Sequence, residues 1–95
     1  MAAYLIGSLD ITDPPGFAEY ARQVPGVIAQ YGGRYVVRGG AAEIVEGEGP
    51  LQRQVVLEFP DMAALRTWYA SPEYAPLLAL RQRTARAKVI FVEGA

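Results

Sequence analysis

A chain of 95 residues, 52% hydrophobic, 20% charged and with a net charge of −1, is sized for one domain, residues 1–95. It has neither the basic surface that nucleic acid demands nor the polar bias of a disordered tail. The absence of cysteine and histidine excludes disulfides and thiolate metal sites, and removes the commonest catalytic base and zinc ligand, so neither metal nor cofactor is expected. So short a chain buries a modest core, and self-association is the stabilising device left open to it.

Ala3 to Ile11, AYLIGSLDI, reads as a first strand, apolar at both parities and therefore covered on both faces. Asp13-Pro14-Pro15 is an N-cap with proline at the first helical positions. Phe17, Tyr20, Val24, Val27, Ile28 and Tyr31 follow at helical spacing, with Glu19, Arg22, Gln23 and Gln30 between them. Pro25-Gly26 interrupts that stripe and predicts a kink or short break. Gly32-Gly33 ends the helix, because glycine takes the left-handed C-cap conformation without a Cβ clash.

Arg34 to Arg38 is the second strand, Gly39 to about Leu51 a hairpin loop, and Gln52 to Phe59 the third strand. Pro60-Asp61 stops that strand and caps a helix marked by Met62, Leu65, Trp68 and Tyr69. Ser71-Pro72-Glu73 restarts the helix, which carries Tyr74, Leu77 and Leu78 and ends in Arg81, Arg83 and Arg86. Lys88 to Glu93 is the last strand. No apolar run approaches the ~18 residues of a membrane span, and the N-terminus lacks the pattern of a signal peptide, so a cytoplasmic protein is expected.

Strand, helix, strand, strand, helix, strand is the ferredoxin-like α+β order: a four-stranded antiparallel sheet with both helices on one face. The other face is left open. By alternation, Val55, Leu57 and Phe59 face the helices with Arg53 at the start of the set, while Gln54, Val56 and Glu58 face away. Strict alternation likewise sends Tyr35 and Val37 to the helices and Arg34, Val36 and Arg38 to the open face. The first and last strands stay ambiguous. An open face this apolar predicts a homodimer that packs sheet on sheet, with Arg38 near Glu58 across the hairpin.

The stretches YGGRYVVRGG (31–40), VLEFP (56–60) and WYASPEY (68–74), together with Arg81, resemble the domain-of-unknown-function family numbered 1330, in the dimeric α/β-barrel superfamily. The resemblance implies a ferredoxin-like subunit whose sheet packs on its twin, and it carries over no catalytic residue. Related barrels include cofactor-free oxygenases, isomerases and binding modules, so the fold alone does not choose between them.

The candidate ligand-binding residues are Arg34, Arg38, Glu58 and Tyr74. The two arginines suit an anion such as a carboxylate, in the cleft between sheet and helices or in the barrel; the plainer alternative is an ion pair with Glu58. Glu58 is also the one candidate general base, although neighbouring arginines would lower its pKa. Glu73 and Tyr74 open the last helix, whose N–H groups suit an anion, or simply start that helix. Tyr20, Tyr31, Trp68 and Tyr69 can line an aromatic pocket or pack as core with hydroxyls at the surface. Arg81, Arg83, Arg86 and Lys88 read as a solvated helix end.

The glycines of 31–40 lack the spacing and following helix of a phosphate loop. RNA binding needs aromatic residues on the open face and a basic surface, whereas the sequence pI is about 5.3. The leading expectation is therefore a homodimer that binds a small, anionic organic molecule. A cofactor-free isomerase or oxygenase using Glu58 or a tyrosine competes with it, as does a structural dimer whose barrel is filled.

Overall fold

A computed structural model describes residues 1–95. The chain runs β1 (Ala3–Ile11), α1 (Pro14–Gln30), β2 (Arg34–Arg38), β3 (Arg53–Phe59), α2 (Met62–Tyr69), α3 (Ala75–Thr84) and β4 (Ala85–Glu93). The strands form one sheet in the order β2-β3-β1-β4, antiparallel throughout. All three helices lie on one face, giving the ferredoxin-like arrangement that the element order predicts. At 34 × 33 × 17 Å the molecule is two layers thick.

Local chemistry accounts for the boundaries. The Asp13 carboxylate accepts from the Gly16 N–H at 3.3 Å and caps α1, with prolines following at its first positions. At the other end Gly32 takes φ +82°, and its N–H donates to Ala29 while that of Gly33 donates to Ile28. That is a Schellman stop, available because Gly32 has no Cβ. Asp61 caps α2 by accepting from the Ala64 N–H at 2.8 Å. Ser71 Oγ accepts from the Tyr74 N–H at 3.1 Å and the Ser71 carbonyl accepts from Ala75. These bonds make a turn, so α3 begins at Ala75, later than Ser71-Pro72-Glu73 suggests.

The core is the contact between the helices and one sheet face: Leu5, Leu9, Leu57 and Phe59 below, Val24, Ile28, Leu65 and Trp68 above. Alternation in β1 and β4 is resolved by this packing. Ala3, Leu5, Gly7 and Leu9 face the helices with Val89 and Phe91; Tyr4, Ile6, Ser8, Lys88, Ile90 and Val92 face away. No helix is long and apolar enough to cross a membrane.

Two expectations need correction. Helix α1 runs unbroken through Pro25, so no break occurs at Pro25-Gly26. In β2, Tyr35 pairs with Leu57 but Val37 pairs with Val56 and Arg38 with Val55. Val36 is the extra residue of a β-bulge, which shifts the alternation by one. Val37 therefore joins the open face and Arg38 turns to the helix side, so Arg34 and Arg38 do not share a face.

On the open face a continuous apolar row results. Val37 pairs with Val56, Val56 with Ile6, and Ile6 with Ile90, across all four strands. Polar rows flank it. In one, Glu58 lies between Arg34 and Tyr4; in the other, Ser8 lies between Gln54 and Lys88.

Candidate ligand-binding site

A cleft opens between the helix-side face of the sheet and the helices, with a cavity of about 40 Å³. That is room for roughly three waters. Its floor is Gly7, flanked by Val55 and Val89 in register. A Cβ on Gly7 would have only ordinary contacts, at 3.7 Å to Leu5 and 3.9 Å to Val89. The missing side chain is thus what leaves the space.

The walls are aromatic, contributed by Phe17 and Tyr20 from α1, Tyr35 from β2, Trp68 and Tyr69 from α2, and Tyr74. Trp68 and Tyr74 stack with centroids 4.1 Å apart. The hydroxyls of Tyr20 and Tyr74 hydrogen-bond at 2.9 Å inside the protein. Tyr20 therefore does not send its hydroxyl to the surface as its core spacing suggested. Burial pushes the Tyr20 pKa well up and raises that of Tyr74; for Tyr74, hydrogen bonds with Tyr20 and Arg81 act the other way. Both stay protonated at neutral pH.

Three guanidinium groups complete the lining: Arg38, Arg53 and Arg81. Arg38 stacks 4.5 Å over the Tyr35 ring and donates to the Ala21 carbonyl. Arg53, at the start of β3, lies 5.8 Å from the Phe17 centroid, and its Nε is buried without a partner. Gly39, at φ +66°, lets the loop pass against this guanidinium, where any Cβ would collide with it. Arg81 is only 7% exposed and donates to the Tyr69 hydroxyl at 3.5 Å. It is no solvated helix end, since α3 turns it into the cleft. Arg83 is exposed at the helix end as expected, whereas Arg86 is exposed within β4, which begins at Ala85, ahead of the expected Lys88.

No carboxylate lines this cleft, and none of the three arginines has an ion-pair partner; the two ion pairs in the molecule are Arg22–Glu19 and Arg34–Glu58. Trp68 Nε1 is likewise buried and unpaired. The pocket is therefore rich in donors, with three positive charges and no carboxylate to balance them.

The four sequence candidates divide between the two sheet faces. Arg38 and Tyr74 line the cleft. Arg34 and Glu58 lie together on the open face, where Arg34 Nη2 approaches Glu58 Oε1 at 2.8 Å and Tyr4 donates to Glu58 Oε2 at 2.8 Å. The Tyr4 and Arg34 hydrogen bonds hold the Glu58 carboxyl below its ordinary range, the wrong direction for a base at neutral pH. The expected Arg38–Glu58 pair does not form, because the bulge separates them. Glu73 is exposed and accepts from the Tyr31 hydroxyl at 2.5 Å, while the N–H groups of Tyr74 and Ala75 are taken by Ser71.

Sequence reasoning missed Arg53 and Arg81 as site residues. For Arg53 a signal was present, since it continues the inward parity of Val55, Leu57 and Phe59. For Arg81, the four-residue step from Leu77, which puts both on one helical face, was the available signal.

The fold is that of a ferredoxin-like α+β domain with one sheet face left open. The chain belongs to the family described as Domain of unknown function (DUF1330), whose model matches residues 2–95. No curated protein matches the sequence. Among solved structures it is similar to RPA0582, a protein of unknown function from Rhodopseudomonas palustris, at 18% identity and TM-score 0.81, over 99% of this chain and 82% of that one. A dimeric ferredoxin-like protein of unknown function from Jannaschia sp. CCS1 shares 16% identity at TM-score 0.74, covering 99% and 100%. SnoaB, a cofactor-independent oxygenase from Streptomyces nogalater, shares 13% at TM-score 0.69, covering 99% and 93%. At these identities the likeness establishes the fold.

Proposed function

We propose that the protein binds a small organic anion, with a carboxylate or enolate against the guanidinium groups and a planar apolar body among the aromatic walls. The observation that carries this reading is the convergence of Arg38, Arg53 and Arg81 on one cavity without a carboxylate among its lining residues. Bidentate arginine contacts are well suited to planar anions, and aromatic faces suit a flat ring. A thermal-shift screen of benzoate, salicylate and related aromatic acids tests it. A ligand at 100-fold its dissociation constant adds about 2.7 kcal/mol of stability. If no acid in the panel raises the unfolding temperature, binding of small aromatic anions is refuted.

We further infer that two copies pack through their open sheet faces. The row Val37, Val56, Ile6 and Ile90 supports this, with Ile90 45% exposed in the single chain. The dimeric Jannaschia neighbour supports it too. Light scattering that returns a 10.3 kDa particle at micromolar concentration would exclude it.

The enzymatic alternative draws on SnoaB, a cofactor-independent oxygenase, and on the Tyr20–Tyr74 hydroxyl pair as a proton donor. The cleft holds no group deprotonated at neutral pH that could serve as base, which favours binding over catalysis by Glu58. A structural dimer without ligand calls for a filled interior, and the space over Gly7 speaks against it.

A further inference from the structure

Pro25 lies inside α1. A proline has no N–H to offer the carbonyl four residues before it, and its ring pushes that carbonyl outward. In α1 the carbonyl concerned is that of Ala21, and it accepts instead from Nη2 of Arg38, a side chain of β2. The same guanidinium stacks over Tyr35. An otherwise exposed arginine is thereby held by a backbone acceptor on one side and an aromatic face on the other. Ala21, Tyr35 and Arg38 all line the cleft.

We propose that Pro25 is a positioning residue of this cleft: by leaving the Ala21 carbonyl without a helical donor, it creates the acceptor that fixes Arg38 at the rim. The inference rests on the anion-binding reading of the cleft. Arginine has five N–H donors, so the bond to Ala21 leaves others for a bound anion. A side chain already immobilised loses less rotamer freedom when the anion arrives. This accounts for the presence of the poorest helix former in the middle of a helix. Alanine at position 25 would close the helical ladder onto Ala21 and release Arg38 to solvent.

The test is a double-mutant cycle of Pro25→Ala and Arg38→Ala, read in two ways. Without ligand, urea midpoints of the four proteins should be non-additive, Pro25→Ala raising the midpoint more in the Arg38→Ala background than in the wild type. With benzoate, calorimetry should show Pro25→Ala weakening affinity about 3- to 10-fold, the worth of one pre-immobilised side chain, even though the protein has become more stable. In the Arg38→Ala background Pro25→Ala should leave benzoate affinity unchanged. Additive midpoints, or an equal loss of affinity in both backgrounds, overturn the proposal. Coupled midpoints in a protein that takes up no benzoate would instead overturn the anion reading, and the positioning role with it, leaving a structural contact only.

Discussion

Replacing Arg81 with methionine should make the free protein more stable and the site useless. The guanidinium is 7% exposed and has no carboxylate partner. Its side-chain partners are neutral hydroxyls, those of Tyr74 and of Tyr69, the latter at a long 3.5 Å. Removing an ion from water without a counter-charge costs several kcal/mol even after the protein relaxes. Methionine keeps most of the apolar stem and drops the charge, while loss of the tyrosine contacts gives back about 1 kcal/mol. A net gain of roughly 1–3 kcal/mol is expected, and about 4–8 °C of unfolding temperature per kcal/mol in a domain of this size. Urea and thermal unfolding in buffer measure the first effect, and the benzoate-induced shift measures the second, which should vanish. Arg66→Met, at an exposed arginine of α2, is the control and should change neither. An Arg81→Met protein less stable than wild type by more than about 1 kcal/mol would show a guanidinium already satisfied within the fold. An unchanged benzoate shift would show that it does not touch the anion.

Gly7→Val places a β-branched side chain in the cavity floor, where a Cβ meets nothing closer than 3.7 Å. It should add about 1–3 kcal/mol of stability and abolish the benzoate shift; a folded variant that still binds would move the site elsewhere. Tyr20 and Tyr74 have pKa values raised above 10.0 by burial, so the folded state holds those protons more tightly than the unfolded chain. Their stabilisation is complete below the unfolded pKa and is lost as pH rises past it, and absorbance titration should show both hydroxyls ionising only with alkaline unfolding. Glu58 has the opposite sign: its folded pKa lies below 4.5, so its contribution is present above that pH and lost as pH falls through the folded value. Glu58→Gln should flatten the acid limb of stability while leaving benzoate affinity intact; a loss of affinity would return Glu58 to the site.

Element order and type were legible because each rests on local chemistry: Asp13 and Asp61 as caps, Gly32 as a left-handed stop, alternation in β3. The helix-side face of β3 was legible for the same reason. The open pairing of Arg34 with Glu58 was half legible, since parity put both on one face while the wrong arginine was favoured as partner. What escaped were features that depend on packing between elements. The four-residue step from Leu77 aligns Arg81 with the buried face of α3 but does not tell a buried guanidinium from a solvated helix end. Nothing local announces that the missing side chain of Gly7 becomes a cavity floor. Nor does β2 announce its bulge, because RYVVR alternates acceptably in either register, and only the partners Leu57, Val56 and Val55 decide.

That bulge gives the sharpest check on the placement of the site. Deleting one residue from a strand ordinarily sends every later side chain to the wrong face. In β2 the deletion of Val36 should be mild, because Val36 is the unpaired residue. Tyr35, Val37 and Arg38 keep Leu57, Val56 and Val55 opposite them, on the faces they already occupy. Little packing is lost, as Val36 is 48% exposed. The cost should therefore stay within the ~0.5–3 kcal/mol of an ordinary substitution, and the benzoate shift should persist, since Arg38 still reaches Ala21 and the cleft. If β2 instead alternated strictly, Arg38 would stand on the open face in the wild type and enter the cleft only in the deletion variant. Benzoate affinity would then rise on deletion, and a positive charge would leave the apolar row of the open face. A rise in affinity, or an unfolded variant, would show that Val36 is part of the ladder and that Arg38 does not belong to the cleft.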